Sequence, residues 1–469
     1  MANSQKFDIA VLGAGPGGYV AAIKGAQMGK KVALIEKHHL GGTCLNVGCI
    51  PSKALLSNAH IFQAIKGAER YGIEVGEVSF DYGKMHTRKE QVVHKLRTSL
   101  EGLIRSNGIV IVRGKAQFVA PKQLKVVGED NTWIHAEKII IATGSEPIDI
   151  PAFPCDHRDI LDSTSALDLK ELPRSIAIIG GGYIGCEFAS LFAAFGVKVF
   201  LIEALPAIVQ MQGKEISAAL THAFEKRGIE IKSNVSVESI EKRADGLTMH
   251  LGDGEALYVE KALVSVGRRL NVRGLGLEKV GIAEGANGVI EVNEKMETQV
   301  PGIYAIGDIT AIAMLAHVAS HQGIVAASNA SGLDTTIHYH AIPSVIFTHP
   351  EIASVGLTPE EAQRQELNFS IETFPFQALG KAVASGDTEG FTQILSETGT
   401  GRIVGAHAVG NEASTLIAEM TLAIHNELTL ECIVDTIHAH PTRSEAWLEA
   451  AFLCQGAPLH FPPRKGNSG

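Results

Sequence analysis

The chain has 469 residues, of which 45% are hydrophobic and 20% are charged, and its formal net charge is −10. At roughly 150 residues per domain, this length predicts about three domains, and the composition suffices for a sizeable buried core. The negative charge, without any run rich in Lys and Arg, argues against non-specific binding to nucleic acid or to an anionic membrane surface.

The N-terminus and the apolar segments do not resemble export signals or membrane spans. Asp8 interrupts the first apolar run, which has no basic region before it. The most apolar stretch, 175–209, contains Glu187, Lys198 and Glu203, a pattern typical of a buried strand–helix–strand unit. We therefore expect a soluble, cytoplasmic protein.

A glycine-rich turn follows the first apolar strand. Residues 8–12 are predicted to form a strand, the turn occupies 13–18, a helical stretch follows, and a second strand at 31–35 ends at Glu36. In a dinucleotide-binding βαβ unit, such glycines permit the tight turn, the approach of the backbone to a pyrophosphate, and close helix–strand packing. The helix N-terminus then offers N–H groups to the phosphate, and the acid can accept hydrogen bonds from a ribose. The three glycines are Gly13, Gly15 and Gly18.

The same layout returns over residues 175–203. The acid follows the first glycine by 23 positions in both copies, from Gly13 to Glu36 and from Gly180 to Glu203. One such turn can be an ordinary glycine turn, but two copies with identical spacing favour two dinucleotide sites. The second turn and the helix start after it contain Gly180, Gly182, Tyr183, Ile184 and Gly185.

The neighbouring residues indicate which nucleotide binds at each site. Ala204, Leu205 and Pro206 follow Glu203, so no nearby Arg is available for a 2′-phosphate, which the carboxylate would also repel. We therefore expect the second site to prefer NAD over NADP. The first site precedes a cysteine pair and is expected to hold FAD.

Two further segments could complete the flavin site. An apolar strand ends at Thr143, Gly144 and Ser145, which suit a close pass by the cofactor. Asp308 follows the short apolar strand 304–306 and could bind ribitol hydroxyls, although a turn or N-cap acid explains it equally well.

The segment 41–53 contains two of the six cysteines, Cys44 and Cys49. Pro51 suits the first turn of a helix, so Cys49 is predicted to lie near a helix N-terminus, where the dipole stabilises a thiolate. Lys53 follows Cys49 by four residues and adds positive charge on the same helical face.

Three interpretations of this cysteine pair compete. A structural zinc site needs about four ligands, and no second Cys/His pair has suitable spacing. Two inert buried cysteines fit poorly with the adjacent glycines and lysine. A redox-active disulfide accounts for the pair, the flavin fingerprint and the helix start together, and we favour it.

The third part of the chain, from about residue 341, has alternating apolar strands at 391–395 and 403–409 and ends with a histidine-containing motif. His440 precedes Glu445 by five residues, so the carboxylate could hold the imidazole in one tautomer as a base. Thiol–disulfide exchange needs such a base. From position alone, however, His440 is one of 19 histidines.

These motifs together resemble the pyridine nucleotide–disulfide oxidoreductases, and the similarity covers essentially the whole chain. Segment 41–53 resembles the family's redox-disulfide signature, and 440–445 resembles its terminal signature. The segments 315–317 and 347–356 are similar to those of the members that act on dihydrolipoyl groups.

The resemblance implies a role for each residue around the disulfide. Cys44 would exchange with the substrate, and Cys49 would lie against the flavin and form a thiolate–flavin charge-transfer pair. Lys53 would approach the flavin and pair with Glu187.

The resemblance also implies the architecture: an α/β protein with two Rossmann-like dinucleotide-binding domains and a C-terminal α+β dimerisation domain. The expected boundaries are 1–150 with 272–342 for the FAD-binding and central domain, 151–271 for the NAD-binding domain, and 343–469 for the interface domain. His440 as acid/base and Glu445 as its orienting partner would serve the active site of the other subunit, so a homodimer is implied.

Further cofactor contacts follow from the same resemblance. For FAD the implied residues are Gly13, Gly15, Gly18, Glu36, Lys37, Thr43, Lys53, Ala116, Thr143, Gly144, Ser145, Asp308, Met314, Leu315, Ala316 and His317. For NAD they are Gly180, Gly182, Tyr183, Ile184, Gly185, Glu187, Glu203, Val235 and Gly267. No metal is expected.

The implied reaction is oxidation of protein-bound dihydrolipoamide by NAD⁺ through the cysteine pair and FAD. Such an enzyme would serve 2-oxo acid dehydrogenase complexes or the lipoyl-H protein of a glycine cleavage system. Two alternatives stay open: a related reductase of a glutathione- or coenzyme A-type disulfide, and a non-catalytic, flavin-bound structural subunit.

Overall fold

The computed structural model describes residues 4–462, which divide into two compact units. Within those described residues, unit 1 comprises 4–150, 161–171 and 267–338, and unit 2 comprises 151–160, 172–266 and 339–462. Each unit is discontinuous along the chain.

The strands and helices are given in chain order. The strands are β1 (Ser4–Leu12), β2 (Val32–Glu36), β3 (Val110–Arg113), β4 (Lys115–Ala120), β5 (Gln123–Val127), β6 (Thr132–Ile141), β7 (Ser145–Pro147), β8 (Ile160–Leu161), β9 (Ser175–Ile179), β10 (Lys198–Glu203), β11 (Glu230–Ser233), β12 (Val237–Arg243), β13 (Gly246–Leu251), β14 (Ala256–Val259), β15 (Lys261–Val264), β16 (Arg268–Leu270), β17 (Ile303–Ala305), β18 (Ser344–Ile346), β19 (Ile352–Gly356), β20 (Phe369–Pro375), β21 (Gly390–Glu397) and β22 (Ile403–Gly410). The α-helices are α1 (Pro16–Gln27), α2 (Gly42–Val47), α3 (Cys49–Lys66), α4 (Tyr82–Ser106), α5 (Ser163–Leu167), α6 (Tyr183–Ala194), α7 (Lys214–Lys226), α8 (Ala316–Ala330), α9 (Pro359–Arg364), α10 (Gly380–Ala384), α11 (Ala413–His425), α12 (Leu430–Asp435) and α13 (Glu445–Cys454).

Unit 1 is built on a parallel sheet in the order β3-β2-β1-β6, with β17 also parallel to β6. The antiparallel strands β5 and β4 extend this sheet. Strand β2 is buried at every residue, as expected for a parallel strand covered on both faces. The carboxyl ends of β1, β2 and β6 therefore meet at one edge, where the first glycine turn and Thr143 lie.

Unit 2 contains a second sheet in the order β11-β10-β9-β15-β8, in which β9, β10, β11 and β15 run parallel. Its first strand–turn–helix–strand, β9 to β10, repeats the arrangement of β1 to β2. A separate antiparallel sheet, β18-β19-β22-β21-β20, follows in the same unit. Its core includes Trp447, which is fully buried and donates its indole N–H to the Leu416 carbonyl at 3.1 Å.

The predicted α/β fold class is confirmed, and both predicted βαβ units form. Each of their helices is followed by a glycine with positive φ, Gly29 (φ 78°) and Gly196 (φ 84°). The three-domain boundaries stay a prediction. Across residues 4–462, none of the helices combines the length and apolarity that a membrane crossing requires.

A buried histidine in β22 is expected to make the fold sensitive to acid. His407 is fully buried, and its Nε2–H donates to the Leu357 carbonyl at 3.1 Å. Burial lowers the pKa of His407 to about 4, whereas the unfolded chain takes up this proton near its ordinary value of 6.5. The folded state therefore loses stability as the pH falls from about 6.5 to about 4, by about 2 kcal/mol at pH 5.

We expect His407→Gln to remove this acid-dependent loss, because Gln has no proton to gain. The measurement is the free energy of unfolding by urea at pH 7 and pH 5 for the parent and the variant. His222→Gln, at an exposed position of α7, is the control and should keep the pH dependence of the parent. An equal loss in the parent and in His407→Gln would contradict the assignment.

Candidate redox and cofactor-binding sites

The two cysteines of segment 41–53 lie on consecutive helices of unit 1. Cys44 lies in α2 and Cys49 is the first residue of α3, with Gly48 between the two helices. Both are thiols, and their side chains share a hydrogen bond. Cys49 thus lies at a helix start, as predicted, whereas α2 itself was not predicted. The predicted redox-active disulfide between Cys44 and Cys49 stays a prediction.

The two thiols have different electrostatic surroundings. The hydrogen bond with Cys49, and secondly burial, raise the pKa of the Cys44 thiol above its usual range, while the positive charge of Lys53 opposes this. The position of Cys49 at the start of α3 favours a thiolate on this sulfur rather than on Cys44. The N–H groups at the start of α3 add to the stabilisation of a Cys49 thiolate.

The described residues give no support to a zinc site at these cysteines. In residues 4–462, the one group of three or more side chains close enough to share a metal is His86, Glu90 and Asp168, which contains neither cysteine. Glu90 of that group is already paired with the Lys89 ammonium at 2.6 Å.

The first glycine turn of unit 1 is packed as the fingerprint requires. Gly13 has φ 100°, and a Cβ on it would lie 2.3 Å from the Ala142 carbonyl oxygen. A Cβ on Gly18 would lie 1.9 Å from the Gly13 oxygen. Glu36 is buried, and its carboxylate accepts hydrogen bonds from the Ala14 N–H at 2.8 Å and the His38 N–H at 2.7 Å. The Glu36 carboxylate thus links the first glycine turn to the end of β2 by a hydrogen bond.

The second turn, in unit 2, repeats these contacts. Gly180 has φ 104°, and a Cβ on Gly185 would lie 1.9 Å from its carbonyl oxygen. The Glu203 carboxylate accepts from the Gly181 N–H at 2.6 Å and from the Leu205 N–H at 2.7 Å. Gly182 faces open space, since a Cβ there would meet no atom within 4 Å. The backbone next to Gly182 is therefore accessible to a bound pyrophosphate.

The C-terminal histidine motif of unit 2 forms a His–Glu pair. The His440 Nδ1 lies 2.8 Å from the Glu445 Oε1, and Glu445 Oε2 accepts from the Thr442 N–H at 2.7 Å. Burial opposes ionisation of Glu445, but the Thr442 N–H and His440 outweigh it and lower the pKa of this carboxyl. A carboxylate accepting from Nδ1–H leaves Nε2 of His440 as the basic nitrogen, and this ring is 76% exposed.

Comparison with known sequences decides the family. Residues 7–323 match the profile described as pyridine nucleotide-disulphide oxidoreductase, and residues 342–451 match the dimerisation domain of that family. The chain belongs to the pyridine nucleotide-disulphide oxidoreductases.

Individual relatives agree with this family assignment. The chain is 51% identical to a dihydrolipoyl dehydrogenase of Chlamydia pneumoniae, over 98% of this chain and 100% of the relative. It is 44% identical to one of Geobacillus stearothermophilus, over 96% and 97%. Among solved structures, LpdA of Mycobacterium tuberculosis matches with a TM-score of 0.90 and 26% identity, over 95% of this chain and 99% of that one. The flavoprotein disulfide reductase RclA of Escherichia coli matches with a TM-score of 0.87 and 29% identity, over 96% and 99%.

The cofactors of this oxidoreductase are FAD and NAD, and unit 1 has the features of an FAD site. The Thr143 hydroxyl is buried next to the first glycine turn and, among the described residues, has no hydrogen-bond partner. A bound cofactor would supply one. The turn also runs close to segment 41–53, because a Cβ on Gly42 would lie 2.6 Å from the Gly15 Cα.

A second part of the predicted FAD site surrounds Asp308. The Ser145 hydroxyl donates to the Asp308 carboxylate, and the Arg268 guanidinium donates to both the side chain and the carbonyl of Ser145, each at 2.7 Å. Leu315 precedes the first residue of α8, so the N-terminus of this helix lies at the predicted segment 314–317.

The remaining predicted cofactor residues differ in their surroundings. Lys37 and Thr43 are exposed, and Ala116 is buried in β4 opposite Val126. In unit 2, the Val235 N–H donates to the Glu203 carbonyl at 3.1 Å. Their contacts with FAD or NAD stay predictions.

Two of the predicted NAD residues, Glu187 and Gly267, make contacts away from the second glycine turn. Glu187 in α6 accepts from the Phe347 N–H at 3.0 Å. Its pairing with Lys53 stays a prediction, since Lys53 belongs to unit 1. Gly267, with φ 139°, also belongs to unit 1 and accepts from the Ile148 N–H at 3.1 Å.

Several residues of these sites were not found from the sequence. Arg268 holds Ser145 and Asp308, and the fully buried Gln322 accepts from the Gly307 N–H at 2.6 Å. The arginine pair after the apolar strand β15 could have signalled Arg268. No local pattern signals Gln322, which lies within an apolar helix.

The two glycines of the NAD turn should respond differently to alanine. We expect Gly182→Ala to fold like the parent, because its φ is −74° and its surroundings are open, and to weaken NADH binding about 10-fold, since the new methyl group occupies the approach to the backbone. Gly185→Ala should instead lower the melting temperature, because its methyl group would collide with the Gly180 oxygen. Fluorescence titration with NADH and thermal melts measure the two effects. Unchanged NADH affinity in Gly182→Ala would contradict the site.

Proposed function

We propose that this chain oxidises protein-bound dihydrolipoyl groups with NAD⁺, using the Cys44–Cys49 pair and FAD. The observation that carries the proposal is the pair of hydrogen-bonded thiols formed by Cys44 in α2 and Cys49 at the start of α3. The choice of substrate is supported by the near full-length identity with proteins named dihydrolipoyl dehydrogenase.

In the proposed reaction, His440 starts the exchange by taking a proton from one substrate thiol. The resulting thiolate attacks Cys44 of the Cys44–Cys49 disulfide, so that a mixed disulfide forms and Cys49 leaves as a thiolate. The second substrate thiol displaces Cys44, which releases the cyclic lipoyl disulfide. The two electrons and one proton then reside on the cysteine pair.

The distribution of charge within the pair suits this role. Cys49 is the first residue of α3, so the helix N-terminus stabilises a negative charge on its sulfur, and the raised pKa of Cys44 agrees with a proton on the other sulfur. FAD, when bound, accepts the electron pair and passes it to NAD⁺ as hydride. The balance is one dihydrolipoyl group and NAD⁺ giving one lipoyl group, NADH and a proton.

We further propose that the protein acts as a cytoplasmic homodimer with the lipoyl domains of a 2-oxo acid dehydrogenase complex or with a lipoyl-H protein. The dimer is supported by the match of residues 342–451 to the family's dimerisation domain. The His440 side chain is 76% exposed in the single chain, which leaves it available to the disulfide of a second subunit.

Loss of the exchanging thiol should abolish the reaction. Cys44→Ser removes the sulfur that forms the mixed disulfide, so NADH formation from dihydrolipoamide and NAD⁺ should fall at least about 1,000-fold. Cys432→Ser, at an exposed position on α12, is the matched control and should retain activity within about 2-fold. Both are measured by NADH absorbance. Activity near that of the parent in Cys44→Ser, or no activity in the parent, would reject the proposal.

Removal of the orienting carboxylate should slow the same reaction. Glu445→Gln deprives the imidazolium of its counter-charge, so kcat with dihydrolipoamide should fall about 100-fold. Because the pKa of Glu445 is lowered, this carboxyl stays ionised from about pH 5 to pH 8, and its titration should add no inflection to the parent's pH–rate profile in that range. An inflection that disappears in Glu445→Gln would show that the carboxyl titrates there.

A further inference from the structure

A buried arginine lies inside the His440 loop, defined here as residues 436–444. Only 4% of the Arg443 side chain is exposed. Its Nη2 donates to the Asp387 carboxylate at 2.9 Å, and its Nε lies 3.7 Å from the Glu412 carboxylate. The guanidinium carbon also lies 5.6 Å from the centre of the Phe376 ring.

These contacts join the loop to two separate parts of unit 2. Asp387 follows α10 and precedes β21, whereas Glu412 is the residue before α11. Glu412 has φ 65°, a left-handed conformation that non-glycine residues rarely adopt, so its backbone needs support from the surroundings. A guanidinium cannot give up its charge on burial, so the hydrogen-bonded Asp387 carboxylate, with the more exposed Glu412 carboxylate nearby, offsets its loss of water.

In the sequence, Arg443 lies between His440 and Glu445, and its neighbours form the hydrogen bonds that hold this pair. Thr442, immediately before it, donates its N–H to Glu445 at 2.7 Å and its hydroxyl to the Ala439 carbonyl at 2.7 Å. The Arg443 carbonyl accepts from the Ala446 N–H at 3.1 Å in the first turn of α13. The His440 ring itself is mostly exposed, so its position depends on the backbone that Arg443 anchors.

We propose that Arg443 is a positioning residue: through Asp387 and Glu412 it holds the His440 loop so that His440 and Glu445 stay paired and aimed at the substrate. This inference rests on the proposed function, because His440 matters only for exchange with the dithiol substrate. Arg443 touches no reacting atom. Its effect should therefore appear in the thiol half of the reaction and not in the nicotinamide half.

The test compares two activities of the full-length holoenzyme. Oxidation of dihydrolipoamide by NAD⁺ needs His440, whereas oxidation of NADH by ferricyanide draws electrons from the reduced flavin without thiol exchange. Arg443→Met should lower kcat for dihydrolipoamide about 100-fold, since displacement of a catalytic group by about 1 Å costs a factor of this size. Its NADH–ferricyanide rate should stay within about 2-fold of the parent.

Three further variants separate positioning from stability. Arg443→Lys, which keeps a charge for Asp387, should recover part of the lost kcat, and Asp387→Asn should repeat the selective loss. Ile403→Ala removes buried apolar volume from the same core in β22, so it should lower the melting temperature but leave the ratio of the two activities unchanged. The inference is overturned if both activities of Arg443→Met fall together, or if their ratio stays within about 2-fold of the parent.

The unmodified protein is assayed first, because it tests the proposed function separately. If it does not oxidise dihydrolipoamide, the proposed function fails. Arg443 is then tested with whichever of glutathione disulfide or coenzyme A disulfide the protein reduces with NADH. A selective loss of disulfide reduction in Arg443→Met would support the positioning role with that substrate, and a proportional loss of both activities would overturn it.

Discussion

The hydrogen bond between the Cys44 and Cys49 thiols is the interaction on which the proposed chemistry depends. The two thiols come together because α2 and α3 meet at Gly48. The turn there is tight, since a Cβ on Gly48 would lie 3.0 Å from the Thr43 carbonyl oxygen. The two sulfurs are also unequal, because Cys49 alone lies at the start of α3, where the helix N-terminus stabilises a thiolate. One sulfur can therefore meet the substrate while the other holds the charge that leaves with the electrons.

The two glycine turns share the same close backbone packing and the same hydrogen bond from the turn to an acid. In each, the third glycine of the fingerprint lies against the carbonyl of the first, with a virtual Cβ at 1.9 Å in both Gly18 and Gly185. In each, the acid at the end of the second strand accepts a hydrogen bond from a backbone N–H of the turn. Glu36 and Glu203 thus have a structural function in addition to the ribose contact that their spacing predicts, and the two functions use the same carboxylate.

The His440 loop follows a different principle, because its reactive ring is exposed and its supports are buried. The carboxylate of Glu445 serves both the ring and the Thr442 N–H, so one side chain fixes the tautomer and the backbone together. The Arg443 guanidinium is buried and interacts with the Asp387 and Glu412 carboxylates in place of water. An exposed base can meet a second protein, while the buried Arg443 guanidinium keeps the geometry of the loop constant.

The sequence by itself determined the local features: both βαβ units, the helix start at Cys49, and the approach of His440 to Glu445. These follow from short-range rules of glycine sterics, proline geometry and residue spacing. Only the tertiary structure decided which distant side chains hold these features in place. Arg268 reaches Ser145 across 123 residues and Arg443 reaches Asp387 across 56, and no local pattern identifies Ser145 or Asp387 as the partner. The physical reason is that burying a charge depends on which surfaces the folded chain brings together, and the pattern of neighbouring residues does not contain that information.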